Sequence, residues 1–321
     1  MKVFIGLDTS CYTTSVAIMD AEGRLRADTR RLLFVKPGGR GLAQSEMVFQ
    51  HTRHVPDLFA EAIGAMQMDK YIIAGIGVSV RPRPLTDSYM PAFLVGHGYA
   101  RTLGTALGIP VSAISHQENH IYASIWSAGG PVSEEFLALH LSGGTTEIVE
   151  VRSFHDQPVF RLLGGSLDLH AGQFVDRVGV SMGLPFPAGP ALEKLAATWQ
   201  KEPARLHSSL QGLSVSFSGP ESQAQRLLQA GYDEAAIAAG VQECISRSIV
   251  RMIAAAAQKT RLTDVLLAGG VMANQSIRRY VCDQLTSHAV KVYCPDPAYS
   301  SDNAVGAAFY ALRVAATLVS A

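Results

Sequence analysis

Apolar and polar positions alternate along this chain in blocks, each as long as a strand or a helix. Val3–Leu7 is a short apolar run that ends in a polar turn, Asp8–Thr14, and resumes as Ser15–Met19. The expectation is strand, turn, strand, with Ala21-Glu22-Gly23 supplying the next turn. Across Ser45–Met66 the residues Met47, Val48, Val55, Leu58, Phe59 and Ile63 recur at helical spacing. Ile72–Val80 is a continuous apolar strand suited to burial on both faces of a parallel sheet. A helix rich in small residues, Pro91–Leu107, then leads to strand Val111–Ile114.

The plan restarts with strand Phe136–Leu141, turn Ser142–Thr146 and strand Glu147–Val151. Helices are expected over Asp168–Met182 and Pro190–Thr198, followed by a Gly/Ser-rich stretch, Gly212–Gly219. A long helix over Asp233–Gln258 precedes strands Val265–Leu267 and Val290–Tyr293, and Ala304–Val319 is the last helix. Two hairpins with hydroxylated tips, each followed by alternating helices and strands, point to a duplicated α/β unit with parallel βαβ connections. The expected lobes are 1–132, with helix 304–321 packing back on it, and 133–303.

Length agrees, since 321 residues exceed one ordinary core and suit two lobes. Hydrophobic residues make up 48%, ample for burial. No run approaches the ~20 apolar residues that cross a bilayer, so no membrane association is expected. The amino terminus lacks the apolar region and cleavage site of a signal peptide. Cys11, Cys244, Cys282 and Cys294 form no CxxC pair, which suits free thiols and a cytoplasmic location. Cys11 reads as a small buried thiol. The 27 basic and 27 acidic residues cancel, so the whole molecule has no bias toward nucleic acid. Local clusters remain at Arg24, Arg26, Arg30 and Arg31, at Arg81 and Arg83, and at Arg278 and Arg279. Each is a candidate RNA contact, weighed against an ordinary solvated face.

Candidate chemistry sits in the turns. Small residues in Asp8–Thr14 and Ser142–Thr146 let backbone N–H groups point at an anion. Hydroxyls of Thr9, Ser10, Thr13, Thr14, Ser142, Thr145 and Thr146 add donors. A third turn, Ala268-Gly269-Gly270, opens toward Asn274, which can hydrogen-bond a ribose or acyl group. Ordinary hairpin chemistry is the competing explanation, but three such turns after strands favour a nucleotide ligand. Ser115 and Glu118 have capping-box spacing, so a helix should start there. His116 and His120 then stand one turn apart on one face. The zincin pattern H-E-x-x-H is not met, because Glu118 is third of the five. Surface histidines are the alternative to a metal pair, and Asp302 in Ser301-Asp302-Asn303 is the best third ligand. Two imidazoles and a carboxylate suit one divalent metal, Fe2+ or Zn2+, acting as a Lewis acid.

Nearly the whole chain resembles the tRNA N6-adenosine threonylcarbamoyltransferase family (TsaD), within the ASKHA superfamily of sugar kinases, actin and heat-shock ATPases. The segments that carry it are Gly6–Cys11, His116–His120, Leu141–Thr146, Ala171–Asp176, Pro187–Pro190, Ser216–Gly219, Ala268–Asn274 and Ser301–Asn303. The resemblance implies duplicated ribonuclease-H-like lobes with a nucleotide cleft between them, and a metal on His116, His120 and Asp302. It implies that threonylcarbamoyl-adenylate, or ATP, is held by His140, Leu141, Ser142, Gly143, Gly144, Asp176, Gly189 and Asn274, with catalytic assistance from Asp8, Thr9 and Ser10. The implied reaction moves the threonylcarbamoyl group to N6 of adenosine-37 in tRNA, with protein partners of the same pathway. The chain departs from the family in several places. Tyr12 and Thr13 stand where two Asp are usual, Gln173 replaces Glu and Leu169 replaces Asp. Arg81-Pro82-Arg83-Pro84-Leu85 replaces a Gly-Pro-Gly-Leu loop, and His140 stands where some members carry Tyr, as a candidate fourth ligand. These departures keep open a second reading, a catalytically weak nucleotide- and metal-binding member of a larger assembly.

Overall fold

The computed structural model describes residues 1–10, 12–35, 42–66, 70–85, 87–154 and 158–320; the expectation for Cys11 lies outside them. In chain order the elements of the first half are β1 (Lys2–Asp8), β2 (Thr13–Asp20), β3 (Leu25–Leu32), α1 (Gln44–Ala65), β4 (Ile72–Arg81), α2 (Phe93–Leu107), β5 (Val111–Ser115) and α3 (His116–Ala128). The second half holds β6 (Phe136–Leu141), β7 (Thr146–Arg152), β8 (Val159–Gly165), α4 (Ala171–Ser181), α5 (Gly189–Ala197), β9 (Ser209–Gln211), β10 (Ser214–Ser216), α6 (Ser218–Gln229) and α7 (Glu234–Thr260). It continues through β11 (Asp264–Ala268), α8 (Gln275–Thr286) and β12 (Lys291–Tyr293) to α9 (Val305–Ser320).

The chain divides into two compact units, Met1–Ser127 with Ser301–Ala321, and Ala128–Ser300. In the first unit the sheet order is β3-β2-β1-β4-β5; in the second it is β12-β11-β6-β7-β8. Read from opposite ends these are one topology, which is the duplication expected from the repeated hairpins. The sheets are mixed rather than parallel throughout. β1, β2 and β3 form an antiparallel meander, as do β6, β7 and β8, while β4, β5, β11 and β12 join in parallel. Short polar turns permit only the antiparallel pairing; the parallel pairs need a helical crossover.

β1 shows how the sequence sets the layers. Val3, Ile5 and Leu7 enter one apolar core with Leu58 and Ala62 of α1 and Ala100 of α2. Gly6, on the opposite face, lies in register with Gly77 of β4. A Cβ on Gly6 would stand 2.1 Å from the Ala304 carbonyl oxygen, and one on Gly77 would stand 1.9 Å from that of Ala307. These two bare positions let the start of α9 lie directly on the sheet.

Several elements differ from the periodicity reading. Asp168 does not start a helix, because α4 begins at Ala171. Its carboxylate instead accepts from the Leu169, Phe217 and Ser218 backbone N–H groups and from the Ser216 and Ser218 hydroxyls. Those bonds turn the Gly212–Gly219 stretch into β10 and the start of α6 rather than an irregular loop. β3 and β8 are sheet-edge strands that the apolar pattern does not reveal.

Candidate metal centre and adenylate loop

The first unit gathers a metal-ligand set at the start of α3. The Ser115 hydroxyl accepts from the Glu118 N–H at 3.2 Å, and a Glu118 carboxylate oxygen accepts from the Ser115 N–H at 2.7 Å. This reciprocal cap starts the helix at His116, as the spacing predicted. His116 Nε2 and His120 Nε2 lie 3.1 Å apart. Asp302 Oδ1 is 3.5 Å from the first and 3.4 Å from the second. Two donors held ~2.1 Å from one ion at a tetrahedral angle stand about 3.4 Å apart, so the donor set fits a single divalent cation. Among the described residues these three form the group able to hold a metal.

Asp302 reaches the histidines because α9 is tied to α3. A Cβ on Gly306 would stand 1.9 Å from the Asn119 carbonyl oxygen. Asn119, between the two histidines in sequence and fully buried, donates to the Asn303 carbonyl at 2.6 Å. Its side-chain oxygen accepts from the Ala307 N–H at 2.7 Å. Arg30 of β3, itself paired with Asp28, donates to the Ser301 hydroxyl from the other side. Sequence reasoning quoted Asn119 in a motif and gave it no role. A poor helix former in the first turn of α3, away from the cap position, was the available signal.

Asp8 lies at the end of β1, fully buried, with Oδ1 3.2 Å from His116 Nδ1. The Ser10 hydroxyl donates to its other oxygen at 2.6 Å. Burial opposes the Asp8 charge, yet the His116 ring outweighs it and holds the carboxyl below its ordinary value. Burial likewise opposes the His116 imidazolium, but Asp8 and Asp302 hold it well above the ordinary histidine value. Asp302, also opposed by burial, is held well below the carboxylate range by His116 and His120. The cluster thus stabilises a positive charge where the three donors converge.

Two further hydroxyls of the first turn face inward. Thr9 Oγ1 donates to the Ala92 carbonyl and accepts from the Gly96 N–H. Thr14 Oγ1 lies 2.8 Å from His51 Nδ1. These two hydroxyls hold α1 and α2.

The second unit keeps its turn open. The Ser142 N–H donates to the Thr145 carbonyl, and Cβ atoms on Gly143 and Gly144 would meet open space. The start of α4 abuts this loop. The Gly172 N–H donates to the Ser142 carbonyl, the Ala171 N–H to Thr146 Oγ1, and a Cβ on Gly172 would strike Gly143. The positive end of the α4 dipole therefore faces the loop. Gly269, with φ 94°, closes against the Leu141 carbonyl and the His140 ring at the end of β6. His140, Leu141, Ser142, Gly143 and Gly144 thus lie at the carboxyl ends of β6 and β11, where ligands bind in such sheets.

Asp176 of α4 accepts from the Ala188 N–H at 2.8 Å, next to Gly189 at the start of α5, and burial raises its carboxyl. Asn274 spends its side-chain oxygen capping α8 at the Ile277 N–H, so a ligand is left its amide nitrogen. Arg24 and Arg26 pair with Asp20, and Arg31 with Asp57 and Glu61. With Arg30 on Asp28, that cluster is a neutralised surface rather than a basic stripe. No described helix is long and apolar enough to cross a membrane.

Comparison with known proteins then places this geometry. The profile of the family described as tRNA N6-adenosine threonylcarbamoyltransferase matches residues 35–309. The enzyme of that name from Carboxydothermus hydrogenoformans is 32% identical, over 94% of this chain and 89% of its own. Its counterpart from Aromatoleum aromaticum is 31% identical, over 98% and 92%. Among solved structures, HypF of T. kodakarensis aligns at TM-score 0.64 and 13% identity, covering 98% of this chain and 48% of that one. Component A of the Acidaminococcus fermentans (R)-2-hydroxyglutaryl-CoA dehydratase aligns at 0.58 and 17%, covering 98% and 100%. At these identities the structures bear on the fold alone, a duplicated α/β unit built on two five-stranded mixed sheets.

Proposed function

The chain belongs to the tRNA N6-adenosine threonylcarbamoyltransferase family, and from that premise we propose a metal-dependent transfer of the threonylcarbamoyl group from its adenylate to N6 of adenosine-37 in tRNA. The observation that carries the metal dependence is the convergence of His116, His120 and Asp302 within 4.8 Å of one another. A divalent ion held there supplies Lewis acidity toward a carbonyl oxygen. Asp8 acts through His116: by accepting from Nδ1–H it fixes the tautomer that presents Nε2 to the other two ligands. Ser10 holds Asp8 in turn, so both are positioning residues, and Thr9 orders α2.

The adenylate belongs to the second unit in this reading. The bare Gly143–Gly144 backbone and the α4 dipole suit the phosphate. Asp176, Gly189 and the Asn274 amide nitrogen are the groups proposed for the nucleoside. Pathway proteins and a cytoplasmic setting complete the proposal. With Tyr12 and Thr13 in place of carboxylates, Asp8 is the carboxylate of the first turn, and it is engaged by His116 and Ser10.

The test is transfer of labelled threonylcarbamoyl from its adenylate to tRNA by the purified protein with its pathway partners. Transfer by the parent chain and its loss in His116→Ala, with metal content falling to background, is the expected result. Tight adenylate binding without transfer would replace this reading with that of a nucleotide-binding partner.

A further inference from the structure

Outside both sites, two thiols meet. Cys282 lies in α8, and Cys294 directly follows β12. Ile277, Val281 and Leu285 bury one face of α8, and Ala289, at φ 55°, turns the chain into β12. That packing brings Cys282 Sγ to 3.3 Å from Cys294 Sγ, across twelve positions of sequence. We propose that Cys282 and Cys294 form a redox-modifiable dithiol, closed to a disulfide by exchange with a low-molecular-weight disulfide such as oxidised glutathione.

Three observations carry it. The sulfurs need to approach by only about 1.3 Å to reach the ~2.05 Å of a disulfide. Both thiols are partly exposed, whereas Cys244 is buried, which raises its thiol to about 11. The pair is also asymmetric. The hydrogen bond between the two sulfurs lowers the Cys294 thiol against opposing burial, and the nearby Arg278 guanidinium, which donates to the Cys294 carbonyl at 3.2 Å, adds to that lowering. The same bond, with burial, raises the Cys282 thiol.

Exchange therefore starts at Cys294. Its thiolate attacks one sulfur of the small disulfide, forming a mixed disulfide and releasing one thiolate. Cys282 loses its proton to solvent and attacks the Cys294 sulfur, releasing the second thiolate. Two protein thiols are oxidised and one small disulfide is reduced to two thiols. The product ties α8 to the segment that follows β12.

The experiment incubates the full chain in oxidised and reduced glutathione at graded ratios, quenches with acid and alkylating agent, and maps peptides by mass spectrometry. A Cys282–Cys294 cross-link in the native chain, with Cys244 still reduced, is the expected result. Cys282→Ser should instead accumulate glutathione on Cys294, and Cys294→Ser should react at Cys282 roughly tenfold or more slower. Absence of the cross-link at ratios that fully oxidise dithiothreitol overturns the proposal, as does a cross-link that forms only in denaturant.

Discussion

At the residue scale, the three candidate ligands meet because Asp8 holds His116 and Asn119 ties α3 to the segment that carries Asp302. His116 and His120 announce themselves by spacing, and Asp302 by its place before the last helix. The links from Asp8 to His116 and from Asn119 to Asn303 and Ala307 join positions far apart in sequence. No local pattern encodes such pairs. The inward direction of the Thr9 and Thr14 hydroxyls is equally hidden in the sequence, since it is set by what packs against them. Asp8→Asn removes the charge that supports His116 without emptying the site. Metal affinity should fall about 10–100-fold, read by competition with a chelating dye, while circular dichroism stays unchanged.

At the element scale, strands and helices with a clear apolar signature were readable, whereas the polar edge strands β3 and β8 and the helices α6 and α8 were missed. β3 reads Leu-Arg-Ala-Asp-Thr-Arg-Arg-Leu, and its arginines resemble a nucleic-acid patch until Asp20, Asp28, Asp57 and Glu61 are placed beside them. α8 hid behind Arg278 and Arg279, although Ile277, Val281 and Leu285 at intervals of four would have revealed it. The contact between α9 and α3 was also invisible, because closeness at Gly306 depends on Asn119 in another element. Gly306→Ala must push these helices apart. A loss of about 1–3 kcal/mol is expected from urea unfolding, with weaker metal binding because Asp302 moves with α9.

At the scale of the molecule, duplication gives each unit its own buried carboxylate clamped by two arginines. Asp20, opposed by burial, is held below its ordinary value by Arg24 and Arg26. Glu150, likewise opposed by burial, is held down by Arg152 and Arg161. A depressed carboxylate stabilises the fold above its unfolded pKa of about 4. That contribution is lost as pH falls through the lower folded value, so urea midpoints should hold from pH 7 to 5 and drop below 4. Asp20→Asn should flatten part of that drop. The boundary at Ser301 has a consequence for biosynthesis. The second unit is one unbroken stretch, but the first is interrupted and regains the chain only one residue before Asp302. A ribosome therefore finishes residues 128–300 before it supplies the third ligand or α9, the helix that covers Gly6 and Gly77. Expressed alone, 128–300 should unfold cooperatively, whereas 1–127 should show no cooperative transition and bind no metal tightly. A nascent chain would hold its first half open until its last helix emerges.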